Sequence, residues 1–479
     1  MRTRELFEGL SLCRVPEGVD MEIERVVSSA KQASEKTLYV VSKTALSNGR
    51  YGLEAAYARG CRAFLCANDA YPGEGAAVWI AEEPERLLGE LAARVYGHPA
   101  RRMTVLGITG SVGKTSVAAQ TVRILRLAGH RACALTSDGI DIPGECSFPD
   151  AIVPDAAEIQ RILARMAARG CEIAVLELSS YQLAHFAAES IPFAAVLLTN
   201  LLPRHVGEGE HKSFEAYCEA KRALLRAKGA FCVLPCGVDA ETTARVIRVG
   251  VGGDIWAQEA RVERLAAQAP RTRFQCCTAG TKTEITIPVM GDMAIHVALC
   301  TVVLCRIVGL EMEQITGGLA LPMASGRLEC ISAREGRLIF RDAAFLPQDV
   351  EAALDTLRPL ATGRLCVLLG SVGGRARARR QALARVAEKG ADHVYLTADD
   401  PDFEPVEQIC HQMRDALQEV LRAEVIADRR ACILRAVREM RPGDVLLILA
   451  KPYDKGQLVQ GCYHPFDERE IVRQALEDI

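Results

Sequence analysis

A short apolar run, Met103–Ile108, leads into Gly107-Ile-Thr-Gly110-Ser-Val-Gly113-Lys114-Thr115-Ser116 and then directly into an amphipathic stretch, Ser116–Ala128. No other segment restricts the fold as strongly. A strand, a glycine-rich turn and a helix start must follow one another without a linker. Small residues there let backbone N–H groups curl around a phosphate, and the helix dipole favours its charge. In that geometry Lys114 reaches terminal phosphates and the Thr115 hydroxyl ligates Mg²⁺. The glycines fall at 107, 110 and 113, and the position five before Gly113 is Ile108 instead of the glycine of the generic pattern. Thr109, Gly110, Ser111, Gly113, Lys114, Thr115 and Ser116 are the expected nucleotide contacts.

The surrounding chain alternates in the same way. Arg131–Leu135, Ile173–Leu178, Ala194–Thr199 and Ala230–Leu234 read as buried strands, with a helix over Ala156–Ala168 between two of them. Such alternation predicts an α/β, mainly parallel, doubly wound sheet. A second series follows at Leu365–Leu369, His393–Thr397, Glu424–Ala427 and Val445–Leu449, beyond a β-rich stretch around Asp254–Met290 with strands at Arg273–Gln275 and Glu284–Pro288. The first hundred residues alternate more weakly, with strands at Thr37–Val41 and Ala63–Cys66. Turn-rich sequence at Gly97-His98-Pro99 and at Pro322–Gly326 places boundaries that give segments 1–98, 99–323 and 324–479. A length of 479 residues accommodates about three domains.

Charge and composition narrow the classes. Fifty-eight Lys and Arg against 61 Asp and Glu leave no basic excess for nucleic acid. The longest apolar runs, such as Val445–Ala450, are far too short to span a membrane, and no signal-peptide core follows Met-Arg-Thr-Arg-Glu. The expectation is a soluble cytoplasmic monomer without nucleic-acid or membrane partners. The 18 cysteines are scattered without a C-x-x-C pair, so they read as reduced, mostly buried thiols.

Downstream of the loop, Glu177 ends an apolar strand and is followed by Ser179-Ser180. Ligands in open parallel sheets bind at such strand ends, although a helix-capping Glu-Ser-Ser is the plainer reading. The next strand ends at Thr199-Asn200; His205, His211, Tyr217 and Lys221 follow.

Taken in order, these stretches resemble the Mur ligases, the ATP-dependent amide ligases that build the peptidoglycan stem peptide. The nearest branch adds the third residue, a diamino acid. The matching segments are Tyr96-Gly-His-Pro-Ala, Gly107–Ser116, Glu177-Leu-Ser-Ser180, Thr199-Asn200 with His205, and Phe214-Glu-Ala-Tyr-Cys-Glu-Ala-Lys221. Gly326-Arg-Leu-Glu329, Asp342 before Pro347, Gly370–Arg380, Asp399-Asp-Pro401 and Pro465-Phe-Asp-Glu-Arg469 continue the series. The resemblance implies three domains: an N-terminal one for the UDP end, a central P-loop ATPase and a C-terminal Rossmann-like one for the acceptor. It also implies a route in which ATP phosphorylates a donor carboxylate and the acceptor amine displaces phosphate. On this resemblance Lys114, Glu177, His205 and Lys221 are catalytic, and Thr115, Glu177, His205 and Lys221 hold Mg²⁺, with Lys221 carbamylated. Asn200, Arg327 and Asp342 contact ATP.

Several family positions are altered. The adenine-side Asn-x-x-Asn reads Ala294 and Val297, and Asp-Tyr-Ala-His reads Asp342-Ala-Ala-Phe345. On the donor side Ile152-Val-Pro154, Ala187 and Ser29-Ala-Lys31 replace the usual residues, and the loop after His205 lacks the usual Asp. Two alternatives therefore stand: a Mur-like ligase with another donor, and an inactive nucleotide-binding paralogue. On the acceptor side, Asp399-Asp400-Pro401-Asp402 stands where the diaminopimelate-adding branch reads Asp-Asn-Pro-Arg. Ser179, Arg375, Asp400, Asp402 and Asp454 are the candidate substrate contacts. One cation, Arg375, with two acids fits a diamine acceptor bearing a single carboxylate, such as lysine, unless Asp402 is a turn residue only.

Overall fold

The computed structural model describes residues 1–41, 49–70, 72–150, 153–203, 211–227, 229–264, 268–322, 327–374, 377–449 and 456–477. His205, Arg375 and Asp454 lie outside the described residues, as does Ile152. Met1–Ala257, Cys276–Thr283 and His296–Gly318 form one compact unit; Gln258–Gln275, Glu284–Ile295 and Leu319–Ile479 form a second. Among the described residues no helix is long and apolar enough to cross a membrane.

The first unit holds two sheets. In the smaller, β1 (Arg25–Val27), β2 (Thr37–Val40), β3 (Ala63–Cys66) and β4 (Ala77–Ile80) pair in sequence order, all parallel. Helix α1 (Pro84–Val95) buries Leu88, Leu91 and Ala92, the spacing of one helical face, in the core under these strands.

The larger sheet contains β5 (Thr104–Thr109), β6 (Ala132–Thr136), β7 (Gly139–Ile142), β8 (Glu145–Ser147), β9 (Ile173–Glu177), β10 (Phe193–Leu198), β11 (Gly229–Pro235) and β12 (Arg245–Val249). Their order is β12-β11-β10-β5-β9-β6-β7-β8. The run from β12 to β6 is parallel, and β7 and β8 close that edge as antiparallel strands. Strands β5, β6, β9 and β10 are nearly all buried, as expected of a parallel sheet covered on both faces. Helix α2 (Lys114–Leu127) follows β5. Helix α3 (Ala156–Ala168) buries Ile159, Ile162, Leu163 and Met166, and Asp155 caps it by accepting from Glu158 N at 2.8 Å. Helices α4 (Ser180–Ala184) and α5 (Phe214–Leu225) follow β9 and β10. Strands β13 (Ile255–Glu263), β14 (Arg271–Thr278) and β15 (Lys282–Ile287) and helix α6 (Asp292–Ile307) carry the chain across the division.

The second unit is built on six strands: β16 (Glu329–Arg334), β17 (Arg337–Asp342), β18 (Leu365–Leu369), β19 (His393–Leu396), β20 (Ala423–Val425) and β21 (Val445–Leu449). Their order is β16-β17-β21-β18-β19-β20, with β16 antiparallel and the rest parallel. Apolar clusters cover both faces, one including α7 (Pro347–Leu357) and α8 (Arg377–Gly390), the other the helices late in the chain. Ion pairs join distant segments here, the first buried and the second partly exposed. Arg429 meets Glu468 at 2.6 Å, and Glu329 receives Arg469 at 3.0 Å. The motifs Gly326-Arg-Leu-Glu329 and Pro465-Phe-Asp-Glu-Arg469 thus meet through their last residues.

The strands read from the sequence are found to within a residue or two, except that Arg273–Gln275 extends to Arg271–Thr278, and the helix over Ala156–Ala168 is found as expected. The hairpin β7–β8 leaves no clear mark in the sequence, because its strands are short and rich in turn residues. One expectation needs correcting: Cys133 and Cys171 are bridged, with Cα atoms 6.3 Å apart, and the other 16 cysteines are free thiols. Strand β6, which carries Cys133, pairs with β9, which begins two residues after Cys171. That adjacency is invisible across 38 residues of sequence.

Candidate active site

Four neighbouring strands, β10, β5, β9 and β6, deliver the first unit's candidate residues other than Lys221 at or just beyond their C-terminal ends. After β5 the loop turns at Gly110, whose φ is +139°; a Cβ there would lie 1.9 Å from Thr199 Oγ1, so only glycine fits. Gly113, with φ +87°, is the residue from which α2 starts. The loop is clasped from β10. Asn200 O accepts from Ser111 N at 3.0 Å, Asn200 Oδ1 accepts from Val112 N at 3.1 Å, and Thr199 Oγ1 donates to Val112 O at 2.6 Å. Asn200 therefore shapes the loop. Thr109 is buried and donates its hydroxyl to Leu178 O at 2.8 Å, which ties β5 to β9. Ser111 Oγ takes Leu202 N at 2.8 Å and the Tyr217 hydroxyl at 2.9 Å.

Glu177, only 9% exposed, is the hub. Its Oε2 accepts from Thr115 Oγ1 at 2.8 Å and from Ser137 N at 3.1 Å, while Lys114 Nζ stands 3.7 Å from Oε1. These side chains come from the ends of β9, β5 and β6. The paired hydroxyl and carboxylate are hard oxygen donors of the type Mg²⁺ takes, so the residues present fit that ion. No group of three or more His, Cys, Asp or Glu suited to a metal occurs among the described residues, and His205 lies outside them.

Lys221 lies on α5, one turn beyond Tyr217, and is 2% exposed. Its Nζ donates to Gly110 O at 2.8 Å and sits 4.6 Å above the Tyr217 ring. Burial pushes this amine down to about 7, Lys114 adds to the effect, and Glu177 opposes it. A lysine on a solvated helix face would keep its charge. The uncharged form that burial favours is a nucleophile.

Ser179 is the N-cap of α4: its Oγ accepts from Gln182 N at 3.2 Å and Gln182 Oε1 accepts back from Ser179 N at 2.9 Å. Ser180 meets His211 Nε2 at 2.9 Å. On α6, His296 Nε2 donates to Thr199 O at 2.7 Å, one residue before the Val297 that replaces an expected asparagine. Burial lowers the affinity of this ring for a proton. Ser116 follows Thr115 in the first turn of α2.

In the second unit, Asp342 Oδ2 accepts from Leu328 N and Oδ1 from Ala344 N, both at 2.6 Å, with Arg327 at 3.5 Å. Burial raises its carboxyl, and Arg327 opposes that. Asp400 Oδ1 accepts from Leu458 N at 2.9 Å and Asp402 Oδ1 from Gly461 N at 2.7 Å. Both aspartates thus pin the hairpin of β22 (Gln457–Val459) and β23 (Cys462–His464), and Asp402 takes φ +51°, which Asp tolerates. Glu404, two residues on, pairs with the fully buried Arg380 through two 2.8 Å bonds and holds Gly374 N at 2.8 Å. The Gly370–Gly374 loop after β18 is thereby fixed. Sequence reasoning misses Ser137 and gives Tyr217 no part. The signal for Tyr217 is its spacing of four from Lys221; Ser137 carries none without the strand order.

Comparison with known proteins identifies the family and the fold. The Mur ligase middle domain matches residues 108–305, and the Mur ligase glutamate ligase domain matches residues 326–451. A UDP-N-acetylmuramoyl-L-alanyl-D-glutamate–2,6-diaminopimelate ligase of Chelativorans sp. (strain BNC1) is 30% identical over 470 residues, covering 95% of each chain. The enzyme of the same name from Rhizobium meliloti (strain 1021) is 29% identical over 98% of this chain and 97% of its own. A solved structure of such a ligase superimposes with a TM-score of 0.72 at 21% identity, over 100% of this chain and 99% of that one. Mycobacterium tuberculosis folylpolyglutamate synthase, solved with ADP and AMPPCP, shares the fold over 76% of this chain and 91% of its own, with a TM-score of 0.58 and 17% identity.

Proposed function

The chain belongs to the Mur ligase family of ATP-dependent, amide-forming ligases, and from that premise we propose that it adds an amino acid to a UDP-N-acetylmuramoyl-peptide during peptidoglycan precursor synthesis. The observation that carries the reading is the convergence of Lys114, Thr115, Glu177 and the buried Lys221 amine on one glycine-rich loop. Lys114 would neutralise charge on the transferring phosphoryl group, the largest single aid to such a step. Thr115 and Glu177 would hold one Mg²⁺, and His205 with Lys221 a second; the ions supply electrostatic neutralisation of the phosphates and the donor carboxylate.

An amine held at about 7 is uncharged in a large share of molecules at neutral pH, and that form can attack CO₂. The new N–C bond yields a carbamate anion and releases one proton to solvent. That change converts Lys221 from a cation that repels a metal into a carboxylate-like donor. Unmodified, its protonated form would stand against both Lys114 and the metal.

The domains are proposed at 1–98, 99–323 and 324–479, serving the UDP end, ATP and the acceptor respectively, in a cytoplasmic monomer without nucleic-acid or membrane partners. Arg327 and Asp342 are proposed to contact ATP phosphate and ribose, and Ser179 the donor. Arg375, Asp400, Asp402 and Asp454 are proposed to serve the acceptor, a diamino acid. Asp402 has one oxygen bound to Gly461 N; its charge still favours an amine over a second carboxylate at the acceptor's far end. Phosphate release from ATP, measured with UDP-N-acetylmuramoyl-L-alanyl-D-glutamate and a diamino acid added singly and together, tests the proposal. Release that needs both supports it. Release that ignores the donor points to a ligase with another donor, and none at all with tight ADP binding points to an inactive paralogue.

A further inference from the structure

The end of β6 carries two residues without a part in the reading above, Ser137 and Asp138. Strand β6 lies beside β9, on the side away from β5, so its end faces the Glu177 carboxylate from across the sheet. Ser137 N donates to Glu177 Oε2 at 3.1 Å, and Asp138 N donates to Thr136 Oγ1 at 3.1 Å, which fixes the turn. Three side-chain oxygens meet there. Thr115 Oγ1 and Glu177 Oε2 are 2.8 Å apart, Thr115 Oγ1 and Ser137 Oγ 3.1 Å, and Ser137 Oγ and Glu177 Oε2 3.5 Å. Magnesium binds six oxygens at about 2.0–2.1 Å, so neighbouring ligands of one ion lie about 3 Å apart. Two edges of this triangle match one face of that octahedron, and the third, between Ser137 and Glu177, is longer and would close by a rotation of the Ser137 hydroxyl about its Cα–Cβ bond.

We propose that Ser137 Oγ is a third protein oxygen for the magnesium that Thr115 and Glu177 hold, with Asp138 as its positioning residue. The inference rests on the nucleotide and magnesium reading of the same loop. A neutral hydroxyl that ligates a cation must give its hydrogen to an acceptor other than the metal's own ligands. Asp138 Oδ1, 3.5 Å from Ser137 Oγ, is a carboxylate acceptor within reach. The added oxygen replaces a water on an ion that ordinarily keeps several, and it stiffens the site from the β6 side.

The test uses Mn²⁺ as the probe, with and without ADP, on the full chain. Affinity is read from the free-Mn²⁺ electron paramagnetic resonance signal, and bound waters are counted by electron spin-echo modulation in D₂O. Ser137→Ala should weaken Mn²⁺ binding in the presence of ADP by roughly tenfold and add one water to the ion. Ser137→Thr should restore both, and Asp138→Asn should weaken binding less with no change in water count. Because Ser137 is exposed, its two variants should keep the wild-type thermal midpoint. Wild-type affinity and an unchanged water count in Ser137→Ala would overturn the assignment of Ser137 alone. Failure of the wild type to bind Mn²⁺ with ADP would overturn it together with the nucleotide reading.

Discussion

Lys221→Met should make the folded protein more stable at slightly acid pH while abolishing ligation. The wild-type amine is held at about 7 against an ordinary 10.5, mainly by burial. That difference amounts to about 5 kcal/mol in the preference for the neutral over the charged form. The sign follows from proton counting. Below about pH 7 folded and unfolded chains both carry the proton, and the whole penalty of burying the charge is present. Between about 7 and 10.5 only the unfolded chain holds it, so stability rises with pH, and above 10.5 the penalty is gone. Methionine removes the charge and fills similar volume. It forfeits the bond to Gly110 O, at roughly 1–3 kcal/mol if that oxygen is left unpaired, and the contact over the Tyr217 ring, at about 0.5–1 kcal/mol. The net expectation at pH 6 is a gain of about 1–3 kcal/mol. The assay is urea unfolding of wild type and variant in bicarbonate-free buffer at pH 6, 7.5 and 9. A lower midpoint for the variant at pH 6, or an increment that does not shrink as pH rises, would refute the buried-amine account. Retained turnover would remove Lys221 from the catalytic set.

Lys114→Ala should lower kcat by at least about 100-fold, whereas Thr115→Ala should first shift the Mg²⁺ dependence of the rate; identical Mg²⁺ titration curves for Thr115→Ala and wild type would exclude its hydroxyl from the site. Glu404→Gln should destabilise the second unit by about 3–5 kcal/mol, because Arg380 is fully buried and would keep its charge without its bidentate partner; a thermal scan showing no loss would mean that Gln412 and Val372 O satisfy Arg380 by themselves. Asp402→Asn keeps an oxygen for Gly461 N and removes the charge. In a competition assay read by product mass it should leave the fold intact and narrow any preference for lysine over diaminopimelate. An unchanged product ratio would confine Asp402 to its turn.

Some of this protein is written in neighbouring residues. The phosphate loop is legible because Gly110, Gly113, Lys114 and Thr115 act within one turn, and the close approach of Thr199 to Gly110 only enforces what the glycine already permits. Strands such as Val445–Leu449 declare themselves by unbroken apolar character, since both faces of a parallel sheet are buried. The spacing of Tyr217 and Lys221 by four puts them on one face of any helix that holds both. What the chain cannot state locally is which strand lies beside which. Ser137 reaches Glu177 only because β6 neighbours β9, and Cys133 meets Cys171 for the same reason. The burial that lowers the Lys221 amine comes from packing α5 against a loop 111 residues away. Whether Asp402 faces an acceptor or pins a hairpin likewise depends on the backbone N–H of Gly461, 59 residues on. Charge and residue type travel with the sequence, but solvent exclusion and strand order belong to the tertiary structure, and at this site they decide protonation and ligand geometry.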